Sequence, residues 1–229
     1  MPSFQYPQAR LLVFAKAPVA GQVKTRLTPF ISPEQAAILH QQLITRTLST
    51  TVNSQLCPVQ LWCSPSSQHP YFQHCQKIFA VELHEQQGKD LGERMAHAFA
   101  LTLKQHDYAL LVGTDCPSLD QQDFQHACEL LQQGYDSVLA PAEDGGYTLI
   151  GLRTPAPELF TDIDWGTSRV LAETRVRLRQ FNLSGYELPE QWDIDRPADL
   201  QRWQAISNPQ TAAPSLDHLP PPLTDRDAE

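Results

Sequence analysis

The stretch YALLVGTDCPSL, residues 108–119, joins a short apolar run to an aspartate, a cysteine and a proline. An apolar run of this length, bounded by turn residues, is typical of a buried strand. Asp115 follows the run directly. It either closes a turn, as aspartate often does, or lies at the carboxyl end of a strand, where open α/β sheets bind their ligands.

Outward from this stretch, apolar strands and amphipathic helices alternate along the chain. Ser32 and Pro33 predict the start of a long helix, and Gly134 predicts the end of another. Strands are predicted at 10–15, 58–64, 78–86, 108–115, 136–142, 147–152 and 186–195, and helices at 32–52, 66–79, 90–105, 119–134, 165–182 and 196–206. This alternation predicts an α/β fold with a mostly parallel central sheet and helices on both faces.

One domain accounts for most of the chain. Residues 1–206 are predicted to form that domain, which is long enough to bury a substantial core. Residues 207–229 are rich in proline and poor in apolar side chains. Because such a segment cannot bury enough surface to offset the entropy of ordering, we predict a flexible tail.

Composition and charge exclude several classes of protein. The net charge of −9 is opposite to that of the basic stripe with which proteins bind nucleic acids. No apolar run approaches the roughly 18 residues of a membrane span, and the N-terminus lacks the charged start of a secretory signal. The five cysteines have no zinc-binding spacing. We therefore expect a cytoplasmic protein whose cysteines are reduced packing residues.

The loop after the first predicted strand, AKAPVAGQVKTRL at 15–27, carries three cations around one glycine. Lys16, Lys24 and Arg26 could surround a polyphosphate, with arginine as a bidentate donor and lysine as a point charge. Gly21 would let the backbone fold around it. A solvated basic loop in an acidic protein is the other interpretation of the same residues. The position of the loop beyond a strand end favours the nucleotide-binding interpretation.

Asp115 belongs to the same predicted edge if its strand lies beside the first one. A carboxylate there could hold Mg²⁺ or Mn²⁺, and the ion could bridge the phosphates of a donor. One carboxylate holds such ions weakly, so a partner is needed. The segment WDID supplies Asp193 and Asp195, which lie on one face if this segment is extended. Asp195 could instead cap the helix that follows, and both roles can coexist.

The segment EDGG, residues 143–146, separates two predicted strands. Gly145 and Gly146 permit a hairpin, which alone could explain them. They could also let an acceptor approach the backbone beside Tyr147, while Glu143 or Asp144 binds the acceptor or acts as a base.

The segment DIDWGTSRVL, residues 162–171, precedes a predicted helix. Trp165 could form one wall of an acceptor pocket, with Asp164 nearby as a candidate catalytic carboxylate. The helix start could receive an anion. Thr167 and Ser168 could line the same pocket, but a helix cap explains these two residues equally well.

A further loop, EQQGKDLGERM at 85–95, follows the third predicted strand. Gly88, Asp90 and Arg94 lie on the predicted ligand edge, where they could contact the base or ribose of a nucleotide. A plain helix start with Asp90 as its cap is an equally good interpretation.

Six motifs occur in a recognisable order: AKAPVAGQVKTRL, GKDLGERM, GTDCPSL, APAEDGGYTLIGL, WGTSRVL and DIDRPADL. Together they cover roughly residues 10–204 and resemble a bacterial family of nucleotide-diphospho-sugar transferase-like proteins, whose members are often labelled glycosyltransferases. The KTRL piece is also similar to the 2-phospholactate guanylyltransferases of the same superfamily. The resemblance implies a Rossmann-like GT-A fold, a nucleotide bound by the first loop, and a divalent metal near Asp115 and the late pair of aspartates.

The chain departs from two better-known patterns of that superfamily. It has GTDC where many glycosyltransferases have two carboxylates in a DxD motif, so Asp115 would need other residues to help it hold a metal. It also lacks the double glycine in the first loop of sugar nucleotidyltransferases.

The motifs and the resemblance together predict a metal-dependent transferase that uses a nucleotide-activated donor and a small-molecule acceptor. Glycosyl transfer from an NDP-sugar is the first hypothesis. The alternatives are transfer of a nucleotidyl group from an NTP to a phosphorylated or carboxylated acid, with release of pyrophosphate, and a non-catalytic nucleotide-binding protein. A homodimer is possible.

Overall fold

In the computed structural model, which describes residues 3–206, these residues form a seven-stranded sheet with six α-helices. The strands, in chain order, are β1 Ala9–Lys16, β2 Val59–Ser64, β3 Glu82–Glu85, β4 Tyr108–Val112, β5 Ser137–Pro141, β6 Tyr147–Leu152 and β7 Gly185–Glu187. Their order across the sheet is β3-β2-β1-β4-β6-β5-β7. Strand β6 is antiparallel to both of its neighbours, and the other four pairs are parallel. The predicted mostly parallel sheet is confirmed.

The helices begin and end close to the predicted residues. They are α1 Pro33–Asn53, α2 Pro70–Phe79, α3 Leu91–Thr102, α4 Gln121–Gln133, α5 Val170–Gln180 and α6 Pro197–Ile206, with short 3₁₀ helices at Thr25–Leu27 and Pro157–Phe160. Ser32 caps α1 in a capping box with Gln35, and Gly134 ends α4 in the left-handed region. The tail predicted for residues 207–229 lies outside the described residues.

Both faces of the sheet are buried, as β1 shows residue by residue. Leu11 and Val13 pack into a cluster with α1, α2 and α4, whereas Leu12 and Phe14 pack on the other face with α3 and α5. Successive side chains of a strand point to opposite faces, so a continuous apolar run is what a sheet covered on both sides requires. In the described part of the chain, no helix is long and apolar enough to cross a bilayer.

The strand order places a topological switch point between β1 and β4. These strands are parallel neighbours, with Val13 opposite Val112, yet the chain leaves β1 toward β2 on the other side. Their carboxyl ends therefore share one edge, where the first loop and Gly113–Asp115 meet. The condition for Asp115 to belong to this edge, that its strand lies beside the first one, is therefore met. A crevice at such a point is where open α/β sheets bind ligands.

Two local predictions near this edge are wrong. Helix α5 begins at Val170, with Arg169 rather than Thr167 or Ser168 as its N-cap residue. Gly166 takes a left-handed turn, and the Thr167 hydroxyl donates to the Asp164 carbonyl 2.8 Å away. The turn between β5 and β6 anchors the first turn of α5, because the Leu171 N–H donates to the Gly145 carbonyl.

The segment 192–195 is not part of a strand, contrary to the sequence prediction. Strand β7 ends at Glu187, and beyond it only an isolated bridge joins Gln191 to Ala142. Pro189 has no N–H to continue a ladder. The segment is held by other contacts: Trp192 and Ile194 are buried against Leu27, Leu39 and Leu43.

Candidate functional site

Lys24, predicted as a phosphate-binding cation, turns into the protein. Its backbone is in the left-handed region, with φ of 50°, and its side chain is only 3% exposed. The ammonium lies 2.8 Å from Asp115 Oδ1 and donates to the Ile194 carbonyl at 2.5 Å. One buried cation therefore joins the first loop, the end of β4 and the late segment.

His40 on α1 completes this contact, and no feature of the sequence pointed to it. Its side chain is buried. Its Nε2 lies 3.0 Å from the Lys16 carbonyl, which can only accept, so Nε2 carries a hydrogen. Its Nδ1 faces Asp115 Oδ1 at 3.7 Å. His40 thus contacts the end of β1 through Nε2 and places its other ring nitrogen beside the carboxylate of Asp115.

The surroundings of Asp115 keep its carboxylate ionised. Burial alone would raise its pKa, but Lys24 and His40 more than offset that effect, so its pKa lies well below the usual range. About half of the side chain is exposed, although Oδ1 itself is buried. Asp115 therefore directs one oxygen at Lys24 and His40. The rest of its carboxylate lies on the open side.

The first-loop cavity, a cleft of about 210 Å³, brings together three predicted nucleotide-binding residues and two of the three predicted metal-binding residues; Gly21 and Asp193 are not in its wall. It is lined by Lys16, Gln22, Val23, Lys24, Thr25, Arg26, His40, Asp115 and Asp195. Arg26 forms an ion pair with Asp195, and the Lys16 ammonium donates to the Gln22 carbonyl at 2.8 Å. The Asp195 side chain therefore faces the first loop. At the start of α6, the backbone N–H groups of Asp195 and Arg196 donate to the carboxylate of Asp199, so Asp195 is not the cap.

Asp193 lies among other carboxylates. Burial raises its pKa to about 6, and Asp144, Asp195 and Asp115 add to the effect through like-charge repulsion. These four carboxylates place more negative charge around Asp193 than the described residues neutralise. A bound cation is one way to relieve such a surplus.

Asp193→Asn should stabilise the protein increasingly as the pH rises from about 4 to about 7. A raised pKa means that the folded state holds the proton more tightly than the unfolded chain. The stability that this proton gives is complete below about pH 4 and is lost as the pH rises through about 6. Asparagine removes that loss. Urea denaturation of both proteins in EDTA across this range measures the effect. A constant difference at every pH would contradict it.

The donor chemistry of this cluster suits a hard divalent ion. Asp115, Asp193 and Asp195 offer only carboxylate oxygens, which Mg²⁺ prefers and Mn²⁺ accepts. Within residues 3–206, however, no three histidine, cysteine or acidic side chains are arranged as a ready ligand set. Lys24 already occupies one side of the Asp115 carboxylate, at Oδ1.

A second cleft, the hairpin cavity, lies on the other side of the β4 end and measures about 240 Å³. Of the six predicted acceptor-pocket residues, Gly146, Tyr147, Trp165 and Thr167 line it. Its walls are Phe14, Leu91, Met95, Leu111, Gly113, Asp144, Gly146, Tyr147, Thr148, Ile150, Trp165, Gly166, Thr167 and Val170. Gly145 and Ser168 contact each other instead, since a Cβ on Gly145 would lie 2.2 Å from the Ser168 carbonyl.

Trp165 is positioned by a glycine of α3. A Cβ on Gly92 would lie 2.5 Å from Trp165 Nε1 and 2.6 Å from the Phe160 carbonyl. Leu91, the neighbouring residue of α3, is 46% exposed and borders the hairpin cavity.

Gly92→Ala should lower the free energy of unfolding by about 1–3 kcal/mol, because the added methyl overpacks this contact. Gly113→Ala is the matched control: Gly113 lines the same cavity, and a Cβ there would meet no heavy atom within 4 Å. Urea denaturation measures both. Equal losses in the two variants would contradict the close approach of Gly92 to Trp165.

The three predicted catalytic carboxylates have different surroundings. Glu143 is turned outward to Arg202, whose Nη1 lies 3.0 and 3.1 Å from its two oxygens. Asp164 pairs with Arg169. Asp144 lies in the wall of the hairpin cavity and accepts from the Gly146 N–H at 2.9 Å. Of the three, Asp144 alone lines either the first-loop cavity or the hairpin cavity.

The loop predicted to contact the base or ribose has a structural role in this conformation. Asp90 caps α3 by accepting from the Glu93 N–H at 2.8 Å. Arg94 donates to the Gly88 carbonyl and to the Ser64 hydroxyl at the end of β2. A side chain on Gly88 would clash with the backbone of α3. A nucleotide contact here stays a prediction.

A larger cleft of about 350 Å³ lies at the opposite end of the sheet. Its walls include Gln8, Asp107, Tyr108 and Arg153, beside the amino ends of β1 and β4. We do not assign the site there, because the clustered cations and carboxylates lie at the carboxyl ends.

Comparison with known proteins supports the fold and the family resemblance. Residues 47–167 match the family described as an uncharacterized protein conserved in bacteria, DUF2064. A crystal structure from Desulfovibrio desulfuricans G20, provisionally assigned as a nucleotide-diphospho-sugar transferase, is 30% identical. It covers 90% of each chain with a TM-score of 0.81. No curated protein matches.

Two more distant structures share the fold. A 4-diphosphocytidyl-2C-methyl-D-erythritol synthase from Anaerococcus prevotii DSM 20548 is 8% identical, with a TM-score of 0.57 over 87% of this chain and 95% of its own. A CMP:2-keto-3-deoxy-manno-octonic acid synthetase in complex with CTP is 11% identical, with a TM-score of 0.54 over 87% and 98%. The predicted Rossmann-like GT-A fold is confirmed.

Proposed function

The chain belongs to the DUF2064 family of bacterial proteins, and from this premise we propose that it is a metal-dependent transferase using a nucleotide-activated donor. Glycosyl transfer from an NDP-sugar to a small acceptor is the first candidate. The relative from Desulfovibrio desulfuricans G20, provisionally assigned as a nucleotide-diphospho-sugar transferase, supports this class.

One observation carries the proposal: cations of the first loop and carboxylates from two distant segments line one cavity at the switch point. Lys16 and Arg26 are exposed at its mouth and would bind the donor phosphates, with arginine as a bidentate donor. Lys24 lies deeper, against Asp115. A cavity lined by both cations and carboxylates suits a diphosphate that arrives with a metal ion.

Asp115, Asp193 and Asp195 are the residues that would hold Mg²⁺ or Mn²⁺. Their all-oxygen chemistry fits a hard cation, and the crowding of negative charge at Asp193 is what such an ion would relieve. When bound, the ion would neutralise charge on the leaving diphosphate.

In glycosyl transfer, an acceptor hydroxyl oxygen forms a bond to the anomeric carbon of the sugar. The bond from that carbon to the diphosphate oxygen breaks, and the nucleoside diphosphate leaves with the electron pair. The acceptor proton passes to a carboxylate, for which Asp144 in the cavity wall is the candidate. Trp165 and Tyr147 would position the acceptor.

Nucleotidyl transfer is the second candidate, and the number of cations favours it. Lys16, Lys24 and Arg26 all line the first-loop cavity, and a triphosphate carries more negative charge than a diphosphate sugar. Here an acceptor oxygen would attack the α-phosphorus of an NTP, and the bond to the β-phosphate oxygen would break with release of pyrophosphate. Release of pyrophosphate from an NTP without an NDP-sugar would identify this reaction.

A thermal-shift panel of NDP-sugars and NTPs, each with Mn²⁺ and with EDTA, tests the proposal. Ligands that bind only the native state raise the midpoint by mass action. We expect an NDP-sugar with Mn²⁺ to give the largest shift and EDTA to remove it. If nucleotides bind but none is turned over, the protein is a nucleotide-binding protein. If none binds, the proposed function is wrong. A homodimer and a cytoplasmic location stay predictions.

A further inference from the structure

We propose that the hairpin cavity takes an uncharged, hydroxyl-bearing acceptor of about the size of one sugar ring and excludes phosphorylated and carboxylated acids. This inference rests on the proposed function and names the acceptor class for it. It therefore favours glycosyl transfer over the nucleotidyl alternative, whose acceptor would be an anion.

The charge of the cavity wall carries the inference. Among its lining residues in the described part of the chain, none is lysine, arginine or histidine, and one, Asp144, is acidic. An anionic ligand would lose its contact with water and lie beside the Asp144 carboxylate, with no lining cation to pair with it. Burying a charge in this way is strongly unfavourable.

The first-loop cavity differs from the hairpin cavity in the charges of its wall, and this difference supports the same conclusion. That cavity is lined by Lys16, Lys24, Arg26 and His40, and the two cavities flank the end of β4, one containing Asp115 and the other Gly113. Recognition of phosphate is therefore confined to one side of β4. The phosphates of the donor belong there, and the other side is left for a group without negative charge.

The rest of the wall suits a ring with hydroxyl groups. Phe14, Met95 and Trp165 provide apolar and aromatic surface. The hydroxyl oxygens of Tyr147 and Thr148 are buried within the wall, so the charged side chain that the cavity offers is the carboxylate of Asp144. A carboxylate accepts hydrogen bonds from ligand hydroxyls.

The size of the cavity sets the scale of the ligand. A volume of about 240 Å³ equals that of roughly eight water molecules at about 30 Å³ each. One sugar ring fits this space. A hexose also has an apolar face that can lie against an aromatic ring and an edge of hydroxyls.

Three hexoses with one ring and different charges test the proposal: glucose, glucuronate and glucose 6-phosphate. Binding is measured by the fluorescence of Trp165, isolated by comparison with Trp165→Phe, with and without an NDP-sugar and Mn²⁺. We expect glucose to bind the wild type and the two anions to bind at least about tenfold more weakly.

Leu91→Lys adds a cation to the cavity wall, because Leu91 lines the cavity and is already 46% exposed. It should gain binding of glucuronate and glucose 6-phosphate by about tenfold. Leu101→Lys is the matched control, since Leu101 is a similarly exposed leucine of the same helix that is not in the wall. It should change nothing.

The proposal is wrong if glucose does not bind, if either anion binds the wild type as well as glucose does, or if Leu91→Lys gains no anion binding. Failure of the proposed function is a separate result: no NDP-sugar would bind with Mn²⁺ on the same samples, whatever the hexoses do. An NDP-sugar that binds beside a tightly bound glucose 6-phosphate would retain the function and overturn the acceptor class.

Discussion

Asp115→Asn is expected to abolish the metal dependence of donor binding and to lower the free energy of unfolding by about 1–2 kcal/mol. Asparagine keeps the shape of the side chain but removes the charge that a hard cation requires. It also leaves the buried Lys24 ammonium with only the Ile194 carbonyl and no counter-ion. The cost is modest for a buried cation because the Asp115 side chain is half exposed, so solvent screens the pair.

Donor affinity with Mn²⁺ and with EDTA, together with urea denaturation, measures the two effects separately. Asp195→Asn is the matched control: its partner Arg26 is 64% exposed, so stability should change by less than about 0.5 kcal/mol. Metal-dependent donor binding should still weaken. If Asp115→Asn keeps the full metal dependence, the GTDC segment only forms a turn and the metal site is elsewhere.

Asp144→Asn is expected to lower turnover by about 10²–10⁴-fold, the range typical of a lost general base. Donor affinity should change little, because Asp144 lies in the hairpin cavity and not in the first-loop cavity. The measurement is acceptor-dependent release of nucleoside diphosphate from the NDP-sugar found in the thermal-shift panel.

Glu143→Gln is the control for Asp144→Asn. The sequence alone could not separate the two residues, since either could act as the base. Glu143 adjoins Asp144, but it pairs with Arg202, and that guanidinium lies 4.2 Å from the Trp192 ring centre. This variant should keep its turnover within a few-fold of wild type. A larger loss in Glu143→Gln than in Asp144→Asn would exchange the roles of the two residues.

Much of the architecture was predictable because its signals are local. The capping box at Ser32 and the left-handed Gly134 act within a few residues. The alternation of apolar strands and amphipathic helices limits the sheet to a mostly parallel arrangement. Position beyond strand ends was enough to bring Lys16, Arg26 and Asp115 to one edge, since parallel strands align their carboxyl ends.

Predictions failed where a distant part of the chain decided the local conformation. Helix α5 begins late because its first turn is anchored to the Gly145 carbonyl of the hairpin. The segment 192–195 looked like a strand by composition, but packing of Trp192 and Ile194 against the first loop and α1 holds it outside the sheet. Neither contact leaves a signal in the nearby sequence.

The sequence by itself determined most of the elements, the fold class and the sheet edge at which the candidate site lies. The tertiary structure alone decided the partner of each charge: Asp115 with Lys24 and, at 3.7 Å, His40, and Glu143 with Arg202. It also placed the cations on one side of β4 and Asp144 on the other. The physical reason is the separation along the chain of the residues that interact. Periodicity and caps are set by neighbours along the chain, whereas ion pairs and cavity walls depend on which loops meet after the strands are ordered.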